Sequence, residues 1–266
     1  METERIYTSS DRSSKIIAWI IIVMFFLIYY AVMAMLAPAK KMKTLKSEYG
    51  YRQDENNPVD ERIFTDSTYL DFLRKKSFLQ SRVTMAATDS IYLSISLPDS
   101  TLNLEICGVT VHRAQIRRIN ISTIFSGGSN YVILSMLSNP FTISKNFSSI
   151  EKEPLMIKMA PRDTSEYVPD IIPDTADYEP VNFIMEMDNG IRIHIYQEDK
   201  LKPGDGLYRS LFNIYHSLRY AAKTFVRIIT FRIPDYQPYI KLRIPRSDAK
   251  IIYRALPEKG QIALSL

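Results

Sequence analysis

Cysteine is nearly absent from this chain: Cys107 is the only one in 266 residues. A single thiol excludes an internal disulfide and any metal centre built on several thiolates, and leaves a catalytic or intermolecular role open. Histidine is almost as scarce. His112, His194 and His216 show neither an HExxH pattern nor Cys/His pair spacing, so no metal and no cofactor is expected. Glycine (8) and proline (14) are too few for a low-complexity chain, and no repeat of fixed period occurs, which excludes an array. A dominant charge sign is missing too. The 34 Lys+Arg and 29 Asp+Glu leave +5, spread along the chain, so a nucleic-acid partner is not expected. What is present, 46% hydrophobic residues, suffices for one sizeable core or two small ones.

The run IIAWIIIVMFFLIYYAVMAMLA, residues 16–37, carries no charge. As a helix it would extend roughly 33 Å, enough for a bilayer core of about 30 Å. Trp19 near one end and Tyr29 and Tyr30 toward the other suit the membrane–water interfaces. The lipid bilayer is therefore the expected partner of residues 16–37, preceded by a short leader, 1–15. The small residues APA at 37–39 would fit a cleavage site, but the run exceeds a signal-peptide core, which favours an uncleaved anchor. Charge does not settle orientation: Arg5, Arg12 and Lys15 precede the run, while Lys40, Lys41, Lys43 and Lys46 follow it. A short leader before a first apolar segment favours an N-in anchor with the remaining chain exported.

Residues 38–87 read as a juxtamembrane linker with a short helix over 66–83, capped by Asp66 or Ser67. From 88 the period becomes two. Ile91, Leu93, Ile95 and Leu97 alternate with polar residues, PDS turns the chain, and Leu102, Leu104 and Ile106 alternate again, which predicts a hairpin. VTVHRAQIRRINIS, SNYVILSM, EPLMIKMA, NFIMEMD and GIRIHIYQE read as further strands. The stretch 161–180, rich in proline and acids, reads as an exposed loop. Residues 207–229 form an amphipathic helix, with Leu207, Leu211, Ile214, Leu218, Ala222, Phe225 and Ile229 on one stripe. Arg209, Arg219, Lys223 and Arg227 lie on its polar side. Such a helix is an ordinary surface helix of the domain, lies on anionic lipid, or lines a site for an acidic ligand. The fold class is mainly β (α+β).

The segments IYLSISLPDSTLNLEICGVTVHRAQI, NGIRIHIY and YIKLRIPRSDAKIIYRALPEKGQIALSL occur in the order of an opening hairpin, a histidine strand and a closing strand–helix–strand. Together they resemble the L,D-transpeptidase (YkuD-like) catalytic domain over 88–266. The resemblance implies a β-sandwich domain with the amphipathic helix as an insertion. His194 falls on the family's motif histidine, Arg243 on its arginine and Asp248 on the acid opening its last helix. The departures lie at the reactive centre. Ile195 stands where a glycine follows the histidine, Pro238 and Ile240 replace the motif serine and glycine, and Lys241 occupies the nucleophile's place.

The family's chemistry needs a thiolate with a histidine in hydrogen-bond reach. A lysine with an ordinary pKa of about 10.4 is mostly an ammonium. Cys107, alternating with Leu104 and Ile106 in an expected strand, reads as a small buried hydrophobe rather than a nucleophile. His194 reads as a structural histidine. The resemblance thus implies a single-pass bacterial inner-membrane protein with a periplasmic, degenerate, non-catalytic domain that binds peptidoglycan peptides or an envelope protein. Arg243, His194, Arg219, Lys223 and Arg227 are its candidate contacts. Two alternatives stay open: an active enzyme using Lys241 or Cys107, and a purely structural subunit of a membrane complex.

Overall fold

The structure, a computed structural model, describes residues 3–50 (side chains from 15), 66–152, 179–199 and 204–266. The expected strand EPLMIKMA and all of the acidic loop except its last two residues lie outside them. Two compact units emerge. Met1–Glu48 with Ser217–Tyr236 make the first, and Tyr49–His216 with Gln237–Leu266 the second. The 88–266 domain of the sequence reading is thus interrupted by a segment that belongs with the N-terminal helix.

In the first unit, α1 (Thr3–Tyr49) runs unbroken through the apolar stretch and into the first residues of the region read as a linker, with Pro38 inside it. Its stretch Lys15–Tyr49 is the one helix among the described residues long and apolar enough to cross a membrane by length and composition. Against α1 lies the C-terminal half of α5 (Asp205–Ile229), followed by a turn.

The second unit is α+β. Among the described residues its nine strands are β1 (Tyr92–Ser96), β2 (Thr101–Ile106), β3 (Val109–Gln115), β4 (Arg118–Ile121), β5 (Phe141–Ser148), β6 (Asn182–Met187), β7 (Arg192–Gln197), β8 (Tyr239–Ile244) and β9 (Gln261–Ser265). They join one mixed sheet in the order β3-β2-β1-β9-β5-β6-β7-β8-β4. The pairs β1–β9 and β7–β8 are parallel and the others antiparallel. The expected hairpin β1–β2 forms, because alternation places Leu93 and Ile95 against Leu104 and Leu102 in register, and the two segments read as strands at β6 and β7 pair as a second hairpin.

Helix α2 (Ser67–Ala86) starts where its cap predicts, with the Asp66 carboxylate accepting from the Thr68 N–H at 2.9 Å. SNYVILSM is not a strand. It forms α4 (Asn130–Leu137), after a single turn α3 (Ile124–Gly127), and buries Val132, Ile133, Leu134, Met136 and Leu137. A short run apolar on all sides carries no period, and packing against α2 and β9 decides its form.

Cys107 also corrects the sequence reading. It is exposed in the two-residue β2–β3 turn, at φ 48° beside Gly108 at φ 82°, the left-handed pair that a type I′ hairpin needs. The last helix, α6 (Arg246–Ala255), packs on β7, with Tyr253 against Phe183 at 5.1 Å between ring centres.

Candidate functional site

Alternation in β7 and β8 sorts their residues onto two faces. Ile193, Ile195, Ile240, Leu242 and Ile244 are fully buried on the α6 side. Arg192, His194 and Tyr196 of β7 share the other face with Tyr239, Lys241 and Arg243 of β8, because parallel pairing sets Arg192 beside Tyr239, His194 beside Lys241 and Tyr196 beside Arg243. Pairing with β4 extends this polar face, setting Asn120 beside Lys241 and Arg118 beside Arg243.

The N-terminal half of α5 covers part of it. The Tyr196 hydroxyl donates to Asn213 Oδ1 on α5 and so accepts from His194 Nδ1–H at 2.9 Å. That leaves His194 Nε2 as the ring's lone-pair nitrogen. Phe147 of β5 and Phe212 of α5 pack on the His216 ring at 4.9 and 4.6 Å. His194 is enclosed by this layer. Burial, then the positive charge of Lys241 and Arg192 and the neighbouring His216, lower its pKa to about 3. An imidazole so weakly basic is neutral at physiological pH and takes up protons poorly. Burial likewise raises Tyr196 to about 12. The pair is a neutral hydrogen-bonded chain.

Lys241 lies with its ammonium 4.8 Å from the centre of the Tyr239 ring, a cation–π contact. Cys107, the only thiol, stands in the turn between β2 and β3 at the opposite end of the strand order from β7 and β8. Desolvation and the Asp89 carboxylate, 3.5 Å from its sulfur, push its pKa up, which suppresses the thiolate. No described geometry brings thiol and imidazole together.

A cluster of guanidinium groups lies beside Lys241. Arg118 and Arg243 both approach Glu198 at 3.5 Å, longer than a formed N–H···O bond. Arg209, on the first turns of α5, joins them: burial and the charge of Arg243, offset in part by Glu198, hold its pKa below the ordinary value. Two guanidiniums thus share one carboxylate, with a third close enough to feel their charge, a positive surplus that suits a carboxylate or phosphate.

Of the candidate contacts, Arg243 and His194 belong to this face. Arg219, Lys223 and Arg227 fall in the other compact unit, and Arg227 pairs there with Asp235, so the face is built without them. Arg118 was not singled out by sequence reasoning, and Arg209 was named only as part of the basic side of the amphipathic helix. The sequence signal for Arg118 was weak, since its partner Arg243 on β8 lies 125 residues further along the chain. Among the described residues no group of three or more His, Cys, Asp or Glu could hold a metal ion. No family model, curated protein or solved structure matches the chain.

Proposed function

We propose that the chain is a single-pass, membrane-anchored envelope protein whose α+β domain keeps an L,D-transpeptidase-like arrangement without its chemistry and binds carboxylate-bearing peptides, of which peptidoglycan stem peptides are the fitting class. The observation that carries the reading is the pairing of His194 with Lys241 on adjacent parallel strands. These are the positions that the resemblance gives to the activating histidine and the nucleophile. Here they hold a neutral, enclosed imidazole and an ammonium. The arginines around Glu198 supply recognition in place of catalysis.

Retention of the anchor fits the same picture. APA at 37–39 sits inside a continuous helix rather than in extended chain open to cleavage. A domain on the periplasmic side of a bacterial inner membrane follows from the ligand class.

The test uses the full chain in detergent. Stem peptides ending in a free carboxylate should bind in a salt-sensitive way, with no L,D-crosslink formed and none cleaved. Arg243→Ala should weaken binding about tenfold or more, since a charge-assisted hydrogen bond contributes about 1.5–3 kcal/mol. Turnover of muropeptides that disappears on Lys241→Ala or Cys107→Ser would overturn the reading in favour of an active enzyme.

A further inference from the structure

The apolar stripe of α5 faces the wrong way for a helix of a soluble domain. Leu218, Phe225, Val226 and Ile229 are exposed, and Phe231, just past the helix, is 80% exposed. Amphipathic helices ordinarily turn this stripe inward. The residue that is buried, Ile228, lies on the side toward α1.

Contacts within the first unit fix where this segment lies along α1. The Phe225 and Phe26 rings meet edge to face at 6.1 Å, Phe231 lies 5.7 Å from Tyr29, and the Tyr29 hydroxyl donates to the Ile228 carbonyl at 3.2 Å. Phe26 and Tyr29 belong to the uncharged run 16–37. Phe26 is 11 residues before Ala37, about 16 Å along a helix, or roughly half of a bilayer core. The segment therefore reaches well into the depth that α1 would occupy in lipid.

The chain then reverses. The Arg232 N–H donates to the Arg227 carbonyl at 2.9 Å and the Phe231 N–H to the Ile228 carbonyl at 3.0 Å, the two bonds of a Schellman motif. Its left-handed position, φ 57°, is normally glycine but here is Phe231. A strained backbone carrying a fully presented aromatic ring makes sense when the ring has apolar surroundings. On the return path the Lys40 ammonium donates to the Ile233 carbonyl at 3.3 Å and lies 3.6 Å from Asp235, which also pairs with Arg227. The open end of the hairpin is thus tied to the first charge after the apolar run. Arg219, Lys223, Arg227 and Arg232 against Asp235 as the only acid give Ser217–Tyr236 a positive balance that suits anionic headgroups.

We propose that Ser217–Tyr236 is a second membrane element, a helix–turn hairpin embedded in one leaflet beside α1, with its exposed stripe on lipid acyl chains. The proposal rests on α1 crossing the membrane and is independent of the ligand bound by the sheet face. Continuity with the apolar length of α1 selects lipid over a second copy as the occupant.

The full chain carrying Cys107→Ser supplies the test, with single cysteines replacing Phe225, Ile229 or Phe231, labelled with an environment-sensitive fluorophore. Phe25→Cys on α1 and Val109→Cys on β3, both exposed, are the controls. In vesicles of phosphatidylethanolamine and phosphatidylglycerol containing acyl-chain nitroxide lipids, labels at 225, 229 and 231 should be quenched nearly as strongly as at 25, and the label at 109 spared. Position 229, with ordinary helical backbone, guards against a Phe231 variant that merely alters the turn. Quenching at 25 with none at 225, 229 and 231 overturns the hairpin while leaving the anchor intact. Cross-linking between copies through these cysteines without quenching assigns the stripe to a second copy and overturns it equally.

Discussion

His194 and Glu105 show how single buried groups make stability depend on their surroundings. His194 titrates in the unfolded chain near 6.5 but in the folded one only at about 3, so below about pH 6.5 the unfolded state binds the extra proton. Stability is therefore full above that pH and falls as pH drops toward 3, by about 1.4 kcal/mol per unit. Between pH 8 and pH 5 this amounts to about 2 kcal/mol. Burial first, then Lys241 on β8, Arg192 on β7 and His216 on α5, hold the ring neutral, with Tyr196 and Tyr239 packed beside it. Denaturation midpoints of the full chain in detergent should show this acid-side slope, and His194→Gln should flatten it; an unchanged slope in the variant would assign it to other groups. Glu105 makes the opposite choice. Its side chain is wholly buried yet paired with Arg82 at 3.0 Å and with the Ser94 hydroxyl, which donates to it at 2.5 Å. Arg82→Ala leaves that carboxylate without its cation and should cost roughly 3–5 kcal/mol, while adding Glu105→Gln to it should recover part of the loss in the same denaturation assay.

At the scale of elements, the β2–β3 turn shows a backbone demand outweighing space. A Cβ on Gly108 would meet only Ala86 Cβ at 3.6 Å, an ordinary contact, but φ 82° disfavours any L side chain. Gly108→Ala should thus lose about 1–2 kcal/mol of stability through the turn alone, whereas Cys107→Asn, matched to φ 48°, should be neutral or stabilising in thermal melts. The sequence showed the strands on either side of this turn, since the alternation of Leu102 and Leu104 survives any local detail. It misplaced Cys107 because alternation alone does not say at which residue a strand ends. Helix α4 was illegible for a related reason: VILSML is apolar on every side, so no period marks it. For α5 the period was plain, but which side met protein was not. Amphipathicity gives a stripe and not its direction, and the exposed Leu218, Phe225 and Ile229 depend on where α1 lies. The candidate site was legible in part. His194, Lys241 and Arg243 stood out in the sequence and lie on the adjacent strands β7 and β8, whereas Arg118 joins them only through pairing of distant segments and Arg209 from helix α5.

The order of the sheet governs how the whole molecule is completed. β9, the last strand of the chain, sits between β1 and β5 rather than at an edge, and buries Ile262, Ala263 and Leu264 almost fully. A chain ending at Gly260 would lose the burial of Ile262 and Leu264, at about 1.5–3 kcal/mol each. It would also lose the ladder that joins β1 to β5, opening two interior edges at once. Since a domain's whole margin is about 5–15 kcal/mol, this truncation should leave the second unit unfolded. Limited proteolysis in detergent measures it: the full chain should leave a protected fragment covering the sheet, and the Gly260-terminated chain should be degraded through it. Changes at the edge strand β3, whose Val109 and Val111 are exposed, should leave that fragment intact. An equally protected fragment from the truncated chain would mean that β1 and β5 hold together without β9, and the strand order would no longer explain stability. β2 is flanked early by β1 and β3, whereas β1 gains its second neighbour only when β9 is in place, a pairing of high sequence separation.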